Sequence, residues 1–164
     1  MNAPDMPGGT AVRKPLRLWP GVALATLVAL GWYVVPILAP DLIVYSFFAG
    51  LGGAAAIVLW WLLFSRASWV ERLGAVALMA AAIAVTRPFV DVSIRTAAMG
   101  RLFVLMAIPP LSLAFVAWAV ATRRLADRWR RAALLATVAL ACGAWTLVKT
   151  GGFTASMKND YMWR

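Results

Sequence analysis

Arg87, Asp91 and Arg95 are the residues of this 164-residue sequence best placed for chemistry. Positions i, i+4 and i+8 share one face of a helix, so Asp91 could pair with either arginine. Two neighbouring guanidinium groups would donate hydrogen bonds to the oxygens of an anion, or of a quinone headgroup at a membrane surface. The plainer reading is an ion-pair stripe that eases two arginines into the interfacial region. Pro88 works against the regular helix that a shared face requires.

Little else in the sequence offers catalysis. Histidine is absent, which excludes bis-histidine haem ligation and removes the commonest metal ligand. The six acids, Asp5, Asp41, Glu71, Asp91, Asp127 and Asp160, fall mostly in tails and connectors, far apart in sequence. No nucleophile has an evident base beside it. Cys142 is the single cysteine; it lies in an apolar run and reads as a small packing residue. No catalytic residue or metal site is expected within this chain, and the candidates for holding a quinone or an anion are Arg87, Asp91 and Arg95.

The elements that must position Arg87, Asp91 and Arg95 are long apolar runs. Hydrophobic residues make up 63% of the chain and charged residues 13%. Several runs exceed the ~18 apolar residues that mark a bilayer span. The composition predicts an all-α, polytopic transmembrane helix bundle with five spans, at about 18–38, 42–64, 73–93, 102–121 and 132–148. The third must run through Arg87 and Pro88 towards Ser93 to be long enough, leaving Arg87 to snorkel to the outer surface. In the fourth, Pro109-Pro110 predicts a kink, with freed carbonyls met by neighbouring helices or by Ser112. Trp19 and Trp32-Tyr33 suit interfacial belts, and Trp60-Trp61 the opposite interface. The "GLGG" at Gly50 to Gly53 follows no strand and lacks nucleotide-loop spacing, so it reads as a place where helices approach closely. Lys149 reads as a snorkelling residue at the end of the fifth span.

Net charge is +10, but the arginines sit between apolar runs, which favours topology signals and anionic headgroups over nucleic acid. With five spans and a cytoplasmic N-terminus, ten basic residues fall inside and six outside. A four-span arrangement gives a similar total, yet translocates the dense cluster Arg123, Arg124, Arg128, Arg130 and Arg131. The expected order is a flexible basic tail over 1–17, inside, a five-helix domain over 18–148, and an extracytoplasmic linker over 149–164.

Two stretches, "LWWLLFSRASWVERL" (Leu59 to Leu73) and "GGFTASMKNDYMWR" (Gly151 to Arg164), resemble the N-terminal membrane domain of quinoprotein-like proteins. In that family a periplasmic β-propeller of the pyrroloquinoline quinone (PQQ)-binding type follows the spans. An Asp–aromatic–x–Trp–Arg segment introduces it, a pattern occupied here by Asp160, Tyr161, Trp163 and Arg164. The resemblance implies a bacterial inner-membrane anchor that is not itself an enzyme, partnered by the propeller, with quinone as a candidate ligand. PQQ and the catalytic residues belong to the propeller, so none is carried onto this chain, which is either a separately encoded membrane part or a piece of a longer protein. The alternatives are a small transporter or channel subunit, with the Arg87/Asp91/Arg95 face and the proline-broken fourth span as its polar path, and a structural subunit of another membrane complex. The near absence of intramembrane polar groups favours the anchor.

Overall fold

The computed structural model describes residues 18–65, 67–153 and 159–163. The basic tail expected over 1–17, together with Arg66, Lys158 and Arg164, lies outside the described residues. The remainder is a helix bundle with a small terminal hairpin.

Helix α1 (Trp19–Ala29) opens with proline in its first turn and passes through a π turn (Leu30–Val34) into α2 (Val35–Leu38). Pro36 has no N–H to give to the carbonyl four residues back, and a wider turn before it relieves the clash of its ring. A 3-10 turn (Pro40–Leu42) reverses the chain into α3 (Ile43–Phe64). The connector to α4 (Trp69–Thr86) is closed by side chains. Ser68 accepts a hydrogen bond from the Glu71 amide at 3.3 Å, the N-cap of a Ser-x-x-Glu start. Arg72 donates to the carbonyls of Leu62 (2.7 Å) and Ser65 at the end of α3, and to that of Ala67 (2.9 Å) in the connector.

The third run differs from the expected 73–93. It begins at Trp69, where Ser68 caps it, and ends at a 3-10 turn (Arg87–Phe89) in which Pro88 stops the helix. A separate short helix, α5 (Val92–Gly100), follows. Helix α6 (Leu102–Ala121) is continuous through Pro109 and Pro110, and the prolines do not divide it. Ser112 donates to the carbonyl of Pro109 at 2.7 Å, not to the Leu105 or Met106 carbonyls that the missing N–H groups release. The fifth run is also shifted from 132–148. Helix α7 (Asp127–Gly143) takes in the arginine cluster, with acidic Asp127 favourably placed in its first turn, and ends in a 3-10 turn (Ala144–Leu147). The segment expected as a linker forms an antiparallel hairpin, β1 (Val148–Phe153) with β2 (Asn159–Trp163), pairing Val148 with Trp163 and Thr150 with Tyr161. Lys149 is an exposed residue of β1, paired with Met162.

Among the described residues, four helical stretches are long and apolar enough to cross a membrane: Trp19–Leu38, Pro40–Phe64, Trp69–Phe89 and Leu102–Ala121. Helix α7 packs antiparallel to α6, since Trp118 meets Arg130 at one end and Phe103 meets Trp145 at the other. Helix α6 is central, touching α1, α3, α5 and α7. The bundle has two cores, one towards each end. Val28, Trp60, Trp61, Phe115, Trp118 and Leu134 belong to the first, near the α3–α4 and α6–α7 connectors. Phe47, Val90, Ile94, Phe103 and Met106 belong to the second, with Trp145 and Val148 packed on it. The outer helices turn Leu27, Ile37, Phe48, Leu63, Val85 and Leu140 outward, an apolar exterior suited to lipid.

The glycines of "GLGG" do not act alike. A Cβ at Gly50 would run into the Trp32 ring, and one at Gly53 into Val28; Gly52 faces open space. On α1, Gly21 makes room for the Trp60 ring in the same way. Close approach of α1 and α3 therefore rests on Gly21, Gly50 and Gly53.

Candidate functional site

The break at Pro88 decides where the candidate residues go. Arg87, Asp91 and Arg95 do not share one helix face, because the helix that carries Arg87 ends before the one that carries Arg95 begins. Asp91 starts the second of these helices. It is the N-cap of α5, its Oδ1 accepting from the Ser93 amide at 2.9 Å and its backbone carbonyl from the Arg95 amide at 2.9 Å.

The two arginines nonetheless line one recess. Arg87, Pro88, Arg95, Thr96, Gly100 and Ala84 line an open recess of about 550 Å³ between the end of α4 and α5. Arg87 donates to the Gly100 carbonyl at 3.1 Å, which ties the end of α4 to the end of α5. The backbone beneath is unusual. Ala98 (φ 50°), Met99 (φ 56°) and Gly100 (φ 78°) lie consecutively in the left-handed region. Only glycine adopts it without penalty. Gly100 also lies close to the guanidinium: a Cβ there would stand 3.3 Å from an Arg87 nitrogen. The donor set suits an anion or the carbonyl oxygens of a quinone: two guanidinium groups facing an open recess.

The surroundings place this recess at one end of the bundle. Strand β1 packs beside α5, so hairpin and recess are neighbours. The connectors around Arg72 and Arg123 to Arg131 lie at the other end.

A second concavity, of about 370 Å³, opens at that other end between α4 and α7, with Trp61 of α3 and Trp118 of α6 in its wall. Its walls are chiefly apolar, and its polar members are Glu71, Arg130 and Arg131. Sequence reasoning missed it. Trp60 and Trp61 were expected at an interface, yet both are buried, Trp61 at 1% exposure. Trp61 packs edge-on against Phe115 at 4.9 Å and against Trp118 at 6.0 Å. A buried indole in an apolar aromatic cluster looks, in sequence, the same as one in a headgroup belt. The signal that could have found the groove is Trp118 with Arg130, which close the α6–α7 turn across twelve residues.

Among the described residues no group of three or more acids, cysteines or histidines is placed to hold a metal ion. No protein-family model matches this chain, and no curated protein or solved structure matches it either.

Proposed function

We propose that this chain is a five-span anchor of a bacterial inner membrane, with its N-terminal side cytoplasmic. In this reading it delivers the β1–β2 hairpin to the extracytoplasmic face, where it tethers a quinoprotein-like β-propeller. The observation that carries the proposal is the separation of the two ends. The arginine-rich connectors lie at the end where α1 begins, and the hairpin leaves from the opposite end. Basic connectors stay on the cytoplasmic side. The fifth crossing uses the apolar residues 132–147, roughly 24 Å of helix at ~1.5 Å per residue, with Arg130 and Arg131 reaching back to headgroups.

In the same reading the Arg87/Arg95 recess faces the outer leaflet, beside the hairpin, where an acidic group or a quinone headgroup can reach it. Buried polar side chains favour the anchor over a transporter. Ser46, Ser112 and Thr122 each donate to a carbonyl three or four residues back in the chain, and Ser65 accepts from the Ala67 amide. None of these bonds points to a polar path between helices.

The test is genetic and biochemical. The reading frame that continues this sequence, or a gene beside it, should encode repeated four-stranded blades, and deleting residues 18–148 should release that protein from membranes into the soluble fraction. A locus with no such protein, or a propeller that stays membrane-bound after the deletion, would contradict the tethering role.

A further inference from the structure

We infer that the groove between α4 and α7 is a binding site for one anionic phospholipid, its headgroup at Arg130 and one acyl chain lying along Gly74, Ala75 and Leu134. The inference rests on the bundle being embedded in a bilayer, and on no assignment of which side is cytoplasmic.

The groove has two chemically distinct parts. Its length is apolar, and Gly74, with nothing within 4 Å of where a Cβ would stand, leaves α4 bare at that point. Its volume, about 370 Å³, is that of a small-ligand pocket. Its mouth is cationic. Arg131 is engaged by Glu71 at 3.5 Å, while the Arg130 guanidinium sits 5.1 Å from the Trp118 ring centre and 5.9 Å from that of Trp61. Aromatic faces attract a cation but accept no conventional hydrogen bond from it. The buried Arg130 Nε has no hydrogen-bond partner among the described residues, and the buried indole N–H of Trp61 has none either. Buried donors without acceptors are costly and uncommon. A phosphate oxygen at the mouth supplies the missing acceptor, and the apolar length accommodates the chain attached to it.

Charge selects the class of lipid. Arg130 and Arg131 stand in the wall of the groove against a single acid, Glu71, which Arg131 already engages. Basic pockets between membrane helices hold anionic headgroups, and a zwitterionic lipid gains less from the same cations.

Native mass spectrometry of the detergent-purified chain, with phosphatidylglycerol or phosphatidylcholine added, reads the site directly. Wild type should retain one phosphatidylglycerol in preference to phosphatidylcholine. Arg130→Gln should reduce that retention roughly five-fold. Arg124→Gln, an exposed connector residue outside the groove, should leave it unchanged. Gly74→Leu plugs the apolar length without touching charge, so it should abolish retention even if Arg130→Gln does not fold. Equal retention of the two lipids, or equal losses in Arg124→Gln and Arg130→Gln, would overturn the proposal. So would displacement of the lipid by glycerol phosphate, which would make this a soluble-anion site. A dimer that Gly74→Leu dissociates would give the groove to a second copy of the chain. Release of the wild-type chain from membranes by an alkaline wash would instead sink the bilayer reading.

Discussion

At the scale of single residues, Arg72 closes the turn between α3 and α4. One guanidinium meets three carbonyls across the α3–α4 turn and stands 5.0 Å from the Trp69 ring centre. Arg72→Ala should lower unfolding stability by about 2 kcal/mol, the scale of charge-assisted bonds lost at a partly buried site. Arg72→Lys should recover only part, because an ammonium cannot fork to the same carbonyls; thermal unfolding in detergent measures both. Asp91→Ala should cost about 1 kcal/mol through loss of the α5 cap, whereas Asn, itself a good cap, should be nearly neutral. Arg87→Gln should weaken anion or quinone binding at the recess in a titration, with little change in unfolding. Sequence marked Arg87 and Arg95 by their charge within an apolar region. The cap formed by Asp91 was not read, because spacing alone does not show that Pro88 ends one helix and that Asp91 starts another. Arg72 was counted only as a topology charge, since its carbonyl partners are backbone groups that no side-chain pattern reveals.

At the level of elements, α1 and α3 depend on bare glycine surface. Gly50→Leu or Gly53→Leu should destabilise by roughly 1–3 kcal/mol, because even a Cβ there meets the Trp32 ring or Val28. Gly52→Leu, which faces open space, should stay within ~0.5 kcal/mol of wild type. The end of α5 makes the opposite prediction. Met99 is 99% exposed and left-handed, so Met99→Gly should stabilise by about 1 kcal/mol and raise the unfolding midpoint. The four longest helices were legible from their apolar runs. Their boundaries were less so: α4 starts four residues before the expected Leu73, because a Ser68 cap outweighs the polarity of Glu71 and Arg72. The π turn before Pro36 and the hairpin after Val148 were not read. The first is a local adjustment to a missing N–H, and the second depends on pairing between strands with little alternation to announce it.

The whole molecule sorts its chemistry by end. One end holds the arginine-rich connectors and the Trp61–Trp118–Arg130 groove. The other holds α5, the Arg87/Arg95 recess and the hairpin. Composition alone predicted a membrane bundle, because an apolar exterior follows from too many hydrophobic residues for one core to bury. Which helices neighbour which was not legible, since runs of Leu, Ala and Val carry no partner code. The proposed role requires that the two ends face opposite sides of a bilayer. Single cysteines at Met99 and Arg124, in a Cys142→Ala background, test that requirement in intact cells with a membrane-impermeant maleimide. The account predicts that Met99→Cys labels at once and Arg124→Cys labels only after the membrane is permeabilised; labelling of both from outside, or of Arg124→Cys alone, would contradict it.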